Sequence, residues 1–363
     1  MKITAAVSRA GAPYPRLEEL ELEEPRPDEV RVRLVAAGIC HTDLLCHAGL
    51  GVPTPRPIVL GHEGAGVVES VGEGVQDLAP GDAVVLSGVS CGTCPSCRAA
   101  RPVYCRDAIR LSFGGARADG TSPLSQQGRR MAGAFFGQSS FATHCVVPQR
   151  SAVQVAQDLP LHRLGPLGCG FITGAGSVFK AFKVRPGQSI VIFGTGSVGL
   201  AAVMAARIAG ASRIVAVDVD ARRLALAREL GATDAIAFGP DLGPDLKALE
   251  RFGFDFSFNT TPVPAVYALA LECLANEGSA GFVTRPRGEW SPNIASLLAG
   301  GRKLQGILGG SANPQVLIPQ LLAYWRQGRF AFERLISEFK FADIGEAWQA
   351  CESGSVVKPV LRM

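Results

Sequence analysis

The chain has 363 residues, 47% hydrophobic and 19% charged, with a formal net charge of +4. Its length predicts two domains, and its composition excludes a disordered chain. The basic residues are scattered, in runs no longer than Gly128-Arg129-Arg130 and Ala221-Arg222-Arg223, which excludes nucleic acid as a partner.

No apolar run reaches the ~18 residues of a membrane helix, so no membrane partner is expected. Met1-Lys2-Ile3-Thr4 leads into mixed sequence without the apolar core of a secretory signal. The ten cysteines are therefore read as those of a reducing, cytoplasmic protein, where clustered thiols serve as metal ligands.

Residues 1–170 carry short β-prone runs: Lys2 to Val7, Glu29 to Ala36, Gly66 to Val71, Ala83 to Leu86 and Phe141 to Val147. Gly and Pro clusters such as Gly11-Ala12-Pro13 punctuate them. The pattern predicts an antiparallel barrel-like domain with long connections. Cys40 falls at the end of a strand, where a loop or short helix begins. Cys40, His62 and Cys169 together offer two thiolates and one imidazole, a set that suits a tetrahedral zinc with its fourth position open to water or substrate. Thr42, two residues beyond the first thiolate, then stands between the substrate hydroxyl and a proton path.

Cys91, Cys94, Cys97 and Cys105 form C-x2-C-x2-C-x7-C. Two-residue gaps let a chain fold round one ion, and four thiolates leave no position for water, so this second zinc is structural. It stiffens a lobe that lacks a core of its own. Arg110 to Gly137 has no clear period and is predicted as a long excursion, either a pocket wall or a plain surface loop.

From Ser189 the pattern becomes strand–helix alternation, which implies a parallel sheet with right-handed crossovers. Strands are expected at Ile190 to Phe193, Arg213 to Val217, Ala235 to Phe238, Asp255 to Phe258, Ala280 to Val283 and Lys303 to Leu308. Helices are expected at Leu200 to Ala209, at Ala221 to Leu230 and over Pro314 to Gly328. Between the first strand and helix stands Gly194-Thr195-Gly196-Ser197-Val198-Gly199, whose glycines let backbone approach a pyrophosphate at a helix N-terminus. Asp218 ends the next strand and is expected to take the ribose hydroxyls of NAD and to repel a 2′-phosphate. Arg223, five residues on, softens that preference. The edge strand near Lys303 predicts pairing with a second copy. Ser355 to Leu361 is extended and is expected to return to the first domain.

With Gly61-His62-Glu63-Gly64-Ala65-Gly66, then Gly72 and Val75, the four-cysteine lobe and the nucleotide motif in this order, the chain resembles the zinc-dependent medium-chain alcohol dehydrogenases. Gly168-Cys169-Gly170-Phe171-Ile172-Thr173-Gly174 and Phe136-Gly137-Gln138-Ser139-Ser140-Phe141 are most similar to the bacterial aryl-alcohol branch. The resemblance implies a GroES-like β-barrel catalytic domain over residues 1–170, a Rossmann doubly wound cofactor domain over 171–308, and a segment 309–363 returning to the catalytic domain. It implies two zinc ions and NAD per subunit, a homodimer or homotetramer, and oxidation of a primary aromatic or allylic alcohol to its aldehyde. Rival readings are a thiol-adduct formaldehyde or short aliphatic alcohol dehydrogenase and, in another class, a non-catalytic NAD sensor.

Carried over by position, Cys40, His62 and Cys169 hold the catalytic zinc, Glu63 is a transient ligand, and Asp43 orients the His62 ring. His41 and Lys358 meet the cofactor pyrophosphate, and Thr173 lies near the nicotinamide. Where many members carry a relay histidine, this chain has Leu45, so the proton is expected to leave through Thr42 and the cofactor ribose. Phe135, Phe136, Phe141 and Phe171 are expected to give apolar surface to a flat substrate. His47, His144 and His162 read as surface or core residues, and Cys46, Cys145, Cys273 and Cys351 as small buried hydrophobes.

Overall fold

The computed structural model describes residues Met1–Met363, which form two compact units. The first comprises Met1–Gly170, Asn313–Gln320 and Glu333–Met363; the second comprises Phe171–Ala312 and Leu321–Phe332.

The first unit is built round the strand Glu29–Gly38. Val30, Val32 and Leu34 turn inward while Arg31 and Arg33 face out, the period-two alternation of a half-solvated strand. The alternation stops at Ala36 and Ala37, both fully buried, as the strand nears the site. It pairs Gly64–Val71 along one edge. The other edge is shared, first by His144–Pro148 and then by the C-terminal strand Lys358–Arg362. A second sheet joins Lys2–Ser8, Arg16–Leu22, Ile58–Val59, Leu124–Gln126 and Arg129–Met131.

Two parts of this unit differ from the sequence reading. The expected strand from Phe141 begins only at His144, because the Ser140 and Phe141 amides donate to Gly61 and Leu60 carbonyls. The aperiodic Arg110 to Gly137 stretch starts within a helix, Ala108–Phe113, and holds a hairpin of two three-residue strands. Gln127 and Gly128 turn the hairpin with positive φ, as tight hairpin turns require. Strands this short carry no readable period.

Arg117 clips the excursion down: Nε and Nη2 donate to the two Glu29 carboxylate oxygens at 2.7 and 3.0 Å, and Nη1 donates to Glu23.

The second unit holds a six-stranded parallel sheet. Its order is Asp234–Ala237, Arg213–Asp218, Ser189–Phe193, Phe254–Asn259, Leu274–Phe282 and Lys303–Gly306. In chain order this is 3-2-1-4-5-6, the Rossmann arrangement, with its topological switch between the first and fourth strands. Ser189–Phe193 is buried throughout, as a central parallel strand covered on both faces should be. The helix Ala221–Leu230 starts at Asp220, which accepts from the Arg222 amide, and ends at Gly231 with φ +125°. Helices absent from the sequence reading include Gly170–Gly176, Leu242–Leu249, Pro264–Glu272, Ile294–Gly300 and, in the first unit, Ile344–Ser353. No helix of the chain is long and apolar enough to cross a membrane.

Arg117 and Glu29 are only 8% and 7% exposed, so removing one partner strands a buried charge. Arg117→Met should lower stability by about 3 kcal/mol in urea denaturation. A loss below about 1 kcal/mol, the worth of an exposed pair, would contradict this.

Candidate active site and metal centres

Cys40 is the N-cap of the helix His41–Ala48, and Asp43, in its first turn, reaches back to accept the Cys40 amide at 3.0 Å. The other Asp43 oxygen accepts the Gly61 amide at 3.1 Å and lies 3.1 Å from His62 Nδ1. Because a carboxylate can only accept here, in the neutral ring Nδ1 carries the proton and Nε2 keeps a lone pair. His62 Nε2 is buried and has no hydrogen-bond partner. Around it the donor atoms of Cys40, His62, Glu63 and Cys169 lie within 4.8 Å of one another. Two sulfurs, an unpartnered imidazole nitrogen and a nearby carboxylate are a fitting set for zinc with room for a further ligand.

Donors packed this closely hold protons between them that a bound ion would displace. A hydrogen bond from the Cys169 thiol, with His62 and Lys358 beside it, holds Cys40 well below the usual thiol range despite burial. The same bond, with burial, pushes Cys169 well up. Burial opposes charge on His62, but Asp43 and Cys40 outweigh it and raise its pKa well above the ordinary value.

Two glycines make the convergence possible. A Cβ on Gly38 would sit 2.1 Å from Glu63 Oε2, and one on Gly168 would sit 1.9 Å from the Leu86 carbonyl oxygen.

Several residues stand elsewhere than expected. Lys358, assigned to the cofactor pyrophosphate, is 2% exposed; its Nζ donates to both Glu63 oxygens at 2.9 Å and to the Ile39 carbonyl at 3.1 Å. Its three N–H bonds are spent inside the first unit, because a buried carboxylate needs a counter-charge. Burial lifts the Glu63 pKa, and Lys358 offsets part of that rise. Phe135, Phe141 and Phe171, expected to face substrate, are each 0% exposed and belong to the core. Phe136 alone is partly open, stacked on the His62 ring at 4.5 Å and 25°.

Thr42 and Leu45 are half-buried, and His41 is exposed. His47 is a core residue: Ser8 Oγ and the Ala12 carbonyl partner its two nitrogens at 2.7 and 2.8 Å, and Trp348 packs on its ring. His144 faces Glu69, and His162 faces Glu338.

Cys91, Cys94, Cys97 and Cys105 also gather within 4.8 Å. The Cys91 amide donates to Cys105 Sγ at 3.2 Å and the Cys94 amide to Cys91 Sγ at 3.4 Å. Backbone N–H groups of Thr93 and Cys94 lower the Cys91 thiol to about 6, while burial pushes Cys105 up to about 12. Arg150 anchors the lobe, donating to the Cys91 carbonyl at 3.1 Å and to Asp28 at 3.0 Å.

In the second unit Gly194, at φ +89°, leads into the helix Ser197–Ala209, with Gly196 as its N-cap. Ser197, Val198 and Gly199 form its first turn, and a Cβ on Gly199 would meet the Gly194 carbonyl at 1.8 Å. Asp218 closes the next strand. Its Oδ2 accepts the Thr195 amide and hydroxyl at 2.6 and 2.7 Å, and Oδ1 accepts the Val219 and Asp220 amides at 2.7 and 3.0 Å. Thr195 escaped the sequence reading, which assigned Gly194, Gly196, Ser197, Val198 and Gly199 of this motif to the cofactor and passed over the threonine between them. Arg223 is half-buried on the helix Ala221–Leu230, and Thr173 half-buried on Gly170–Gly176.

Metal analysis should find two zinc ions per chain. Cys97→Ser should lose the ion of the four-thiolate lobe and make residues 91–105 the first site of proteolysis, since such lobes fold on their metal. Unchanged metal content and an intact lobe would contradict this assignment.

Two family models match the chain: the alcohol dehydrogenase GroES-like domain over residues 26–158 and the zinc-binding dehydrogenase over 197–323. A geraniol dehydrogenase from Castellaniella defragrans is 45% identical over 364 aligned positions, covering 98% of this chain and 96% of that protein. The crystal structure of an alcohol dehydrogenase zinc-binding domain protein from Burkholderia ambifaria superposes with TM-score 0.97 at 44% identity, covering 100% of this chain and 99% of that one. Benzyl alcohol dehydrogenase from Acinetobacter calcoaceticus superposes with TM-score 0.96 at 37% identity over the same shares. With its GroES-like and Rossmann units, the chain belongs to the zinc-dependent medium-chain alcohol dehydrogenase family.

Proposed function

We propose that this alcohol dehydrogenase oxidises primary aromatic or allylic alcohols reversibly to aldehydes, with NAD as the acceptor. The observation that carries the reading is the buried, unpartnered His62 Nε2 facing the sulfurs of Cys40 and Cys169. The names of the relatives support the substrate class, because geraniol is an allylic and benzyl alcohol an aromatic primary alcohol.

Zinc held by Cys40, His62 and Cys169 supplies Lewis-acid polarisation of the alcohol oxygen, and bound NAD supplies the hydride acceptor. The chain does the rest. Asp43 keeps the His62 proton on Nδ1, so Nε2 stays a ligand nitrogen. Glu63, its charge balanced by Lys358, would be within reach of the metal as a further ligand. Thr42 relays the proton of the substrate hydroxyl, accepting it while passing its own on through the cofactor ribose to water, a role that Leu45 cannot share. Phe136 offers an aromatic face next to the metal ligands, which favours a flat unsaturated substrate.

At the cofactor, His41 offers a ring N–H to the pyrophosphate, and Thr173 contacts the nicotinamide. The fixed Asp218 carboxylate disfavours a 2′-phosphate, with Arg223 softening the preference. Lys303–Gly306 is an edge strand, and Ile294 and Leu298 on the helix that precedes it, Ile294–Gly300, are exposed. These features favour pairing of two copies edge to edge in a homodimer or homotetramer.

Reduced-cofactor formation measured with benzyl alcohol, geraniol, ethanol and the glutathione–formaldehyde adduct, each with NAD and NADP, tests the reading. The highest kcat/KM should fall to benzyl alcohol or geraniol with NAD; a lead for ethanol or the adduct, or for NADP, would contradict it. Thr42→Val should cut kcat about 100-fold, as loss of a positioned proton acceptor does, with both zinc ions retained. Unchanged turnover would remove Thr42 from the mechanism.

A further inference from the structure

We propose that Gln138 is a positioning residue of the catalytic metal site, an amide cross-link that sets His62 relative to Cys169. The inference rests on the reading of Cys40, His62 and Cys169 as metal ligands.

Gln138 is 2% exposed and bonds only to main chain. Its Nε2 donates to the His62 carbonyl at 3.1 Å and to the Ser87 carbonyl at 3.3 Å; its Oε1 accepts the Gly64 amide at 3.1 Å. The Gly64 N–H can only donate, so the amide has one allowed orientation, and it meets all three partners at once. One partner is the imidazole ligand's own carbonyl, in a loop outside any strand or helix, and a second, the Gly64 amide, opens the strand Gly64–Val71 two residues on. The third belongs to the Leu86–Ser87 segment on which Gly168, the residue before Cys169, lies in backbone contact. One side chain thus ties the bed of one ligand to the backbone of another, more than a hundred positions along the chain.

The segment carrying Gln138 is held at some conformational cost. Ala134, Phe136 and Ser139 have φ of +54°, +51° and +53°, a region non-glycine residues enter only where surroundings fix them. What they gain is contact with the same ligand loop. Ser139 Oγ donates to the Val59 carbonyl at 2.6 Å. The Ser140 and Phe141 amides donate to Gly61 and Leu60, and Phe136 lies against the imidazole face. Asp43 fixes the ring of His62 from one side; this strap fixes its main chain from the other.

The test uses the full-length zinc protein. Gln138→Leu removes every bond of the amide, and Gln138→Met, closer in length, serves if the first variant fails to fold. Zinc release to a coloured chelator is followed for both ions, and the catalytic ion is separately replaced by cobalt(II) for its visible spectrum. The catalytic ion should leave about 10-fold faster or more, the usual weight of a residue behind a metal ligand. The structural ion should leave at the wild-type rate, and the cobalt bands should shift.

Equal release of both ions, or release and spectrum like wild type, would overturn the inference. If wild-type protein holds only the four-thiolate ion, the reading of the ligand trio fails instead, and that result is visible before any variant is made.

Discussion

The buried carboxylate of Asp43 is the interaction on which the candidate site depends. It takes the Cys40 amide, the Gly61 amide and the His62 ring nitrogen, so one residue fixes a helix start, a tight loop and an imidazole tautomer together. Asp43 is fully buried, and a buried carboxylate persists only where donors surround it. The cost of burying it is met by the groups that must be held for chemistry. Ring orientation, tautomer and the position of the first sulfur therefore cannot vary independently.

A second buried charge pair works alongside the first. Lys358 and Glu63 are 295 positions apart, and their pairing seats the C-terminal strand against Ile39, next to Cys40. The last residues of the chain are thus part of the floor under the first sulfur. Burial of both partners makes the pair costly to break and weak as a net stabiliser. What it provides is a fixed, neutralised carboxylate close to the sulfurs.

Much of this was readable from sequence, for chemical reasons. Four sulfurs round one ion need short fixed gaps, and a backbone approaching phosphate needs glycine, so these motifs are written locally. The core strand Glu29–Gly38 and the helix Ala221–Leu230 were legible because alternation and capping are also local. What stayed hidden depends on neighbours distant in the chain. Nothing near Lys358 signals Glu63, nothing near Gln138 signals His62, and the Arg117–Glu29 clip spans 88 positions. The phenylalanines were misread because apolar character alone does not separate a pocket wall from a core, and three of the four are fully buried. Thr195 was missed because its role, holding the Asp218 carboxylate, exists only once two parallel strands lie side by side.

X-ray absorption at the zinc edge of the purified protein tests the central claim most directly. A four-sulfur ion and a two-sulfur ion with one imidazole and one oxygen predict an average of about three sulfurs near 2.3 Å and about one nitrogen or oxygen near 2.0–2.1 Å per zinc. A pure four-sulfur shell with about one zinc per chain would contradict the account, because Cys40, His62 and Cys169 would then hold nothing.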